Sequence, residues 1–216
     1  EKVFITGNTV IDTALSVVQR DYQFARACLN NIDLQGKKII LVTAHRRENL
    51  GQPLKNICRA FKTLAESNPA LKIVWPVHPN PQVKEVVYRE LANIHNIFLL
   101  EPLNYIDFIN LLARSDLVVT DSGGLQEEAP ALNKAVLVLR DRTERQAGLK
   151  AGTLKLVGTA TENIIAAVEE LLNSKVKYQQ MISTENPYGD GKASQRIVDY
   201  LQYYFSLSNQ KPEQFD

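Results

Sequence analysis

Short runs of apolar, mostly β-branched residues recur along the chain, and most of them lack the alternation of apolar and polar residues that marks a half-buried strand. Seven such runs lie at residues 3–6, 38–44, 72–77, 97–101, 116–121, 135–140 and 154–158. Strands with this pattern are buried on both faces, as in a parallel sheet that helices cover on both sides. We therefore predict that the seven runs are strands of a mostly parallel sheet.

Segments with helical periodicity separate these runs. Residues 53–67, for example, place Leu54, Ile57 and Phe61 on one face, with Lys, Arg and Glu largely on the other. Further helices are predicted at residues 80–93, 105–115, 161–174 and 190–205. Alternating strands and helices predict a doubly wound, Rossmann-like α/β sheet, in which ligands bind at the carboxyl ends of the strands.

The composition fits a single domain that spans residues 1–216 and ends in a frayed polar tail at residues 207–216. The net charge of +1 gives no global attraction to nucleic acid or to an anionic membrane, and no apolar run approaches the roughly 18 residues of a transmembrane helix. Cys28 and Cys58 fall in predicted helices and are expected to be buried cytosolic thiols. The chain starts at Glu1, directly before an apolar run, so we expect a cytoplasmic fragment of a longer protein.

Two polar loops that follow predicted strands carry histidines. His45 heads the sequence HRREN, in which the guanidinium of Arg46 suits phosphate oxygens and the imidazole can donate to phosphate or move a proton. A solvated loop with paired Arg and Glu is the alternative. His78 follows the next strand, in a loop that prolines shape, and would point into the same crevice. A structural histidine bonded to backbone explains His78 equally well.

Phe108 and Arg145 follow two other strands. Phe108 lies in the first turns of a predicted helix, where an aromatic ring can stack on a planar base, although apolar periodicity favours a core position. Arg145 lies in a polar loop after residues 135–140, where it either closes on the same phosphates or pairs on the surface.

The stretch TDSGGLQEEA, residues 120–129, carries the strongest signal. Gly123 and Gly124 allow the backbone to approach a ligand at the start of a helix, and Ser122 adds a hydroxyl. A carboxylate further along, Glu128, suits ribose hydroxyls. A helix with Asp or Ser as its N-cap explains the polar residues but not the two glycines. The position favours a nucleotide-phosphate site.

The motifs AHRREN, PVHPNP, EPLNYIDF, TDSGGLQEEAPAL and RDRTER, in this order, resemble the C-terminal half of the non-hydrolysing UDP-N-acetylglucosamine 2-epimerases, as do TGNTVID and NPYGDGKASQRIV near the ends. The resemblance implies the C-terminal, UDP-binding domain of a GT-B-like two-domain enzyme that lacks its N-terminal domain here. That family interconverts UDP-GlcNAc and UDP-ManNAc by removing the C2 proton, eliminating UDP to 2-acetamidoglucal and re-adding UDP. It needs no cofactor and no metal, and its proton-transfer carboxylates belong to the N-terminal half.

The resemblance also implies residue roles. It makes His45 a catalytic histidine near the diphosphate, and it assigns UDP contacts to Ser122, Gly123, Gly124, Glu128, Phe108 and Arg145. Arg46 and His78 match positions of an allosteric UDP-GlcNAc site. The parent enzyme is expected to be a homodimer that supplies ManNAc for polysaccharide biosynthesis, and the isolated chain is expected to be inactive.

The chain departs from the family pattern at two places. Gln146 and Ala147 replace the usual Pro-Glu after TER, and residues 133–135 replace the usual GKP. Both departures concern the shape of the loops and the coupling between the allosteric UDP-GlcNAc site and the UDP site. They do not concern the UDP contacts themselves. Three alternatives stay open: a retaining GT-B glycosyltransferase, a non-catalytic UDP-sugar sensor, and a hydrolysing epimerase that releases free ManNAc.

Overall fold

A computed structural model describes residues 3–33 and 37–215 of the chain. The strands in these residues are β1 (Ile39–Thr43), β2 (Lys72–Pro76), β3 (Ile97–Leu100), β4 (Leu117–Thr120), β5 (Ala135–Val138) and β6 (Leu154–Leu156). The helices are α1 (Thr9–Val17), α2 (Ala27–Asn30), α3 (Gln52–Ser67), α4 (Pro81–Leu91), α5 (Tyr105–Arg114), α6 (Leu125–Ala131), α7 (Gln146–Ala151), α8 (Thr161–Asn173), α9 (Lys175–Ile182) and α10 (Ala193–Tyr204). A short 3-10 helix, Arg47–Asn49, follows β1.

The strands form one parallel sheet in the order β3-β2-β1-β4-β5-β6. This order confirms the predicted doubly wound, Rossmann-like fold. After β3 the chain returns across the sheet, so β1 and β4 are neighbours although two strands separate them in sequence. Thr43 of β1 pairs with Thr120 of β4 at their carboxyl ends. A crevice opens at such a switch point because the loops that follow the two strands lead to opposite faces of the sheet.

Apolar cores lie on both faces of the sheet, which explains why the predicted strands lack alternation. The successive residues Ile40 and Leu41 are both 0% exposed, and they contribute to different cores. One core contains Phe61 and Trp75, whose rings meet edge to face at a centroid distance of 5.7 Å. Burial on both faces therefore selects continuous apolar runs here.

Residues 3–6 do not form a strand, so this part of the prediction is wrong. The side chains of Val3 and Ile5 are 77% and 56% exposed. Ile5 bonds the C-terminal segment instead: its N–H donates to Gln214 Oε1 at 2.8 Å, and its carbonyl accepts from the Phe215 N–H at 3.0 Å. An apolar run becomes a strand only where it pairs with another strand, and this segment instead contacts α10 and the C-terminal segment. Residues 207–215, the predicted tail, contain neither helix nor strand.

The two cysteines lie in helices, as predicted, but they differ in burial. Cys58 of α3 is fully buried, and this burial raises its pKa to about 12. Cys28 is exposed, which corrects the expectation that both thiols are buried, because α2 is a single turn in which only Leu29 is buried. Among the described residues, no helix is long and apolar enough to cross a membrane.

Candidate functional site

The switch point brings the loop after β1 next to the turn after β4. The hydroxyl oxygens of Thr43 and Thr120 are 2.6 Å apart at the ends of these strands. The Ser122 N–H donates to Thr120 Oγ1 at 2.9 Å, which turns the chain out of β4 toward α6. The structure therefore brings together two loops that are 76 residues apart in sequence, as the hydrogen bond from the His45 N–H to Asp121 illustrates.

Asp121 joins the two loops. Its carboxylate is fully buried, and its Oδ2 accepts from the N–H groups of His45 and Arg46, both at 2.8 Å, and from Asn49 Nδ2 at 3.0 Å. Burial by itself raises the pKa of Asp121, but the adjacent His45 side chain and the hydrogen bonds from the Arg46 and His45 N–H groups outweigh burial and hold the pKa below its ordinary value. The group is thus an anion that is paired with several donors, as buried charges must be.

The same carboxylate orients the imidazole of His45. Nδ1 of His45 lies 3.1 Å from Asp121 Oδ1, while the side chain of His45 is 36% exposed. The ring stacks on that of His78, with centroids 5.4 Å apart and planes inclined by 14°. His78 is itself exposed and accepts from the Asn80 N–H through Nδ1, at 3.2 Å. Because Nδ1 of His45 faces Asp121, Nε2 is the nitrogen that can act on a ligand.

Gly123 lies among three charged side chains. A Cβ added to this residue would lie 3.2 Å from Glu144 Oε1, 3.3 Å from Arg46 Nη2 and 3.4 Å from Arg145 Cζ. Two guanidinium groups therefore approach the backbone at the position that lacks a side chain. Guanidinium groups beside a bare backbone suit the oxygens of a phosphate. We call this arrangement of Gly123, Arg46 and Arg145 the arginine cradle.

A buried carboxylate fixes Arg145 at the cradle. Glu127 Oε1 accepts from Arg145 Nε at 2.8 Å, and the other oxygen of Glu127 accepts from Asn8 Nδ2. The Tyr188 hydroxyl donates to the carbonyl of Arg145 at 3.0 Å and accepts from the Gly148 N–H at 2.9 Å. Glu127 is thus engaged by neighbouring residues and does not form an acid/base pair with the next carboxylate.

The loop that carries Arg145 is closed by bonds of its own. The Arg145 N–H donates to Thr143 Oγ1 at 3.1 Å, and this hydroxyl donates to Gln126 Oε1 at 2.6 Å. Gln146, which replaces the family's usual proline, begins α7 and donates its amide to the Thr143 carbonyl. The departure at Gln146 therefore supplies a local bond to the loop.

Glu128 lies on the other side of the turn and is 7% exposed. Its Oε1 accepts from the Tyr105 hydroxyl at 3.0 Å. Burial raises the pKa of Glu128, and the Tyr105 bond partly opposes this rise. Gly124 precedes α6 as its N-cap without a side-chain cap bond, so neither Asp121 nor Ser122 caps this helix. Phe108 is half-buried against the core that lies under α5.

Tyr105→Phe is predicted to destabilise the protein most where Glu128 is ionised. Removing the donor raises the pKa of Glu128 further, because the Tyr105 bond lowers it in the wild type. Because burial disfavours the ionised form of Glu128, the lost bond costs about 2 kcal/mol of unfolding free energy at pH values above the folded-state pKa of Glu128. The loss shrinks as the pH falls through that pKa. Urea unfolding at about pH 8 and about pH 5 measures this difference. Tyr204→Phe, at a 65% exposed tyrosine, is the control, and equal losses at both pH values would contradict the prediction.

Sequence reasoning missed three residues of this edge. The sequence pattern identifies Asp121 only as a candidate helix cap, and it does not single out Tyr105 or Glu144. An aspartate directly after a central parallel strand was the available signal, because such a position lies at the switch point. Among the described residues, no cluster of three or more His, Cys, Asp or Glu could hold a metal ion.

Two cavities in the described part of the chain lie away from this edge of the sheet. One cavity of about 750 Å³ is lined by Tyr22, Phe24 and Arg114, and another of about 520 Å³ by Ile11, Pro130 and other residues near α9. Neither is lined by His45 or by the residues of the arginine cradle. The carboxyl edge of the sheet is thus separate from both of these cavities.

The sheet order and the residues at its switch point define a Rossmann-like α/β domain whose carboxyl edge carries a histidine, two arginines and a glycine-rich turn. Residues 1–202 match the family model described as UDP-N-acetylglucosamine 2-epimerase, and the chain belongs to this family.

Several relatives agree with this assignment. The chain is 45% identical over 215 residues to the UDP-N-acetylglucosamine 2-epimerase of Bacillus subtilis (strain 168), a match that covers 100% of this chain and 56% of the relative. The S. aureus MnaA-UDP co-structure superposes with a TM-score of 0.91 at 45% identity, over 99% of this chain and 57% of that one. The UDP-GlcNAc 2-epimerase of Neisseria meningitidis bound to UDP-GlcNAc superposes with a TM-score of 0.82 at 42% identity, over 93% and 55%. This chain thus spans about half the length of the relatives it matches.

Proposed function

We propose that residues 1–216 form the UDP-binding half of an enzyme that interconverts UDP-GlcNAc and UDP-ManNAc. The observation that carries this proposal is the convergence of the Asp121-oriented His45 with the arginine cradle at the switch point of a family member. UDP in one solved relative and UDP-GlcNAc in another support the choice of ligand.

The chemistry of UDP elimination explains why these groups lie together. Breaking the bond between C1 and UDP leaves negative charge on the β-phosphate. Arg46 and Arg145 can stabilise this charge, together with the Ser122 hydroxyl and the backbone N–H groups of Gly123 and Gly124, because all are in place before the charge develops. His45 would face the departing phosphate with Nε2, the nitrogen that does not face Asp121.

The uridine end of the ligand would lie along α5 and α6. Glu128 is the proposed ribose contact, since a carboxylate beside a nucleotide-binding turn suits ribose hydroxyls. Tyr105 holds one oxygen of Glu128, at 3.0 Å, and so limits the directions in which the carboxylate can point. Phe108, three residues after Tyr105 on α5, is the proposed uracil contact.

The remaining assignments are proposals of the same kind. Arg46, which is also part of the arginine cradle, and His78 would contact a second, activating UDP-GlcNAc. Arg46 would then lie between the two ligands, and the stacking of His78 on His45 would bring them close together. An N-terminal domain would cover the open edge and supply the groups that move the C2 proton. The complete enzyme would be a cytoplasmic homodimer that produces UDP-ManNAc for polysaccharide biosynthesis.

Incubating the complete enzyme with UDP-GlcNAc in deuterated water tests the proposal. Proton NMR is expected to show UDP-ManNAc and loss of the C2 proton signal from both sugars. The 216-residue chain alone is expected to bind UDP weakly and to leave the C2 proton in place. Transfer to an acceptor without UDP-ManNAc would instead identify a glycosyltransferase, free ManNAc a hydrolysing enzyme, and binding without exchange a sensor.

A further inference from the structure

A carboxylate lies inside the arginine cradle. Glu144 Oε1 is 2.8 Å from Arg145 Nη1 and 3.8 Å from Arg46 Nη2. The same oxygen would lie 3.2 Å from a Cβ on Gly123, closer than either guanidinium group. Glu144 therefore stands where an oxygen of a bound phosphate would bridge the two arginines.

Glu144 is an anion that can leave this position. Its own backbone N–H and the nearby Arg140 guanidinium hold the pKa of Glu144 below its ordinary value, so the carboxylate carries charge at neutral pH. Its side chain is 46% exposed, and its second oxygen already accepts from Arg140 Nη1 at 2.9 Å. Rotation toward Arg140 would release Arg46 and Arg145 without leaving the carboxylate unpaired.

A phosphate and the Glu144 carboxylate compete for the same donors. Both are anions whose oxygens accept paired hydrogen bonds from guanidinium groups. Like charges placed a few ångströms apart repel each other, so both cannot occupy the cradle. Each bond between Glu144 and an arginine therefore opposes ligand binding by the free energy of a partly exposed ion pair.

We propose that Glu144 occupies the diphosphate position in the free protein, competes there with incoming anions and is displaced when a nucleoside diphosphate binds. The proposal rests on the proposed function of the cradle as the UDP site. An anion that is also held by nucleoside contacts can displace Glu144, whereas an inorganic anion has only the cradle to bind to. Glu144 thus weakens the binding of both kinds of anion, and only a ligand with further contacts, such as a nucleoside diphosphate, keeps appreciable affinity.

Calorimetric titration of the 216-residue chain with UDP and with inorganic pyrophosphate tests the proposal. Glu144→Gln removes the charge and keeps the size of the side chain. The variant is expected to bind UDP about three- to tenfold more tightly than the wild type, because the ligand no longer has to break partly exposed ion pairs. It is also expected to bind pyrophosphate measurably more tightly. Glu48→Gln is the matched control, because Glu48 also pairs with Arg140, at 2.7 Å, yet is not among the atoms nearest the Gly123 position. It is expected to bind both ligands as the wild type does.

The outcomes separate this proposal from the proposed function. Equal UDP affinities in the three proteins, or weaker binding by Glu144→Gln, would overturn the displacement of Glu144 and leave the UDP site intact. Weaker binding would mean that Glu144 holds the arginines in place for the ligand. If none of the three binds UDP, the proposed function fails, and tighter pyrophosphate binding by Glu144→Gln alone would still support the displacement. No binding of either ligand by any of them would overturn both.

Discussion

Asp121→Asn is expected to lower the turnover of the complete enzyme by up to about four orders of magnitude, the cost of the same aspartate-to-asparagine change where it leaves a catalytic histidine in the wrong tautomer. In the wild type, Oδ2 of Asp121 accepts from N–H groups of His45, Arg46 and Asn49. The single oxygen of the new amide must face these donors. The amide NH2 then faces Nδ1 of His45 and forces that nitrogen to accept. The proton moves to Nε2, and the imidazole loses both the negative partner and the lone pair that it presents to the ligand.

Nitrogen-15 NMR of His45 is the measurement that ties the loss to its cause. In the wild type, the nitrogen-15 chemical shift typical of a protonated ring nitrogen is expected at Nδ1. In Asp121→Asn it is expected at Nε2. Asp116→Asn is the matched control, since Asp116 lies at the opposite end of β4 and accepts from the Ile39 N–H at 2.8 Å. It makes the same carboxylate-to-amide change without touching the histidine. Unchanged His45 shifts, with full turnover, would show that Asp121 does not set the tautomer.

Asp121→Asn is also expected to reduce the free energy of unfolding at neutral pH by about 2 kcal/mol, because charge-assisted hydrogen bonds become neutral ones. The pKa of Asp121 is lower in the folded protein than its ordinary value. A carboxylate with a lowered pKa stabilises the fold above its unfolded-state pKa, and this contribution is lost as pH falls through the folded-state pKa. The stability gap between the variant and the wild type should therefore narrow in acid, as urea unfolding at a series of pH values would show.

Arg145→Ala is expected to weaken UDP binding about a hundredfold, the cost of removing one partner of charge-assisted bonds to a phosphate. It is also expected to lower the free energy of unfolding by about 3 kcal/mol, because the largely buried Glu127 loses its ionic partner. UDP titration and urea unfolding measure the two effects. Arg89→Ala, which removes an exposed arginine paired with its neighbour Glu90, should change UDP affinity less than twofold.

A second substitution separates the two roles of Arg145. Adding Glu127→Gln to Arg145→Ala removes the unpaired buried charge and should recover most of the lost stability. UDP affinity should stay low, since the guanidinium is still missing. Recovery of UDP affinity in the double variant would show that Arg145 acts only through Glu127 and not on the phosphate. Arg145→Lys should fall between the wild type and alanine, because an ammonium keeps the charge but not the fork.

Particular residues show where prediction from the sequence succeeds. The apolar run around Ile40 was predicted as a doubly buried strand because burial on both faces leaves a local mark in the sequence. Residues 3–6 have the same local composition but lie beside α10 and the C-terminal segment, where Phe4 stacks on Tyr200 at 4.2 Å. Composition alone does not distinguish a strand from an apolar segment that packs elsewhere, since only a neighbouring strand supplies the ladder of hydrogen bonds.

The sequence by itself determined the α/β alternation, the loops that carry polar chemistry and, through its motifs, the family. These properties are local or are written in residue order, so they can be read without coordinates. Only the tertiary structure decided that Asp121 holds His45, that Glu127 holds Arg145, and that Glu144 lies in the arginine cradle. Each of these arrangements brings together segments that follow different strands: the loop after β1, the turn and helix α6 after β4, and the loop after β5. Their distances depend on how β1, β4 and β5 are ordered in the sheet. Strand order is fixed by long-range packing, which leaves no signature in the sequence near any one of these residues.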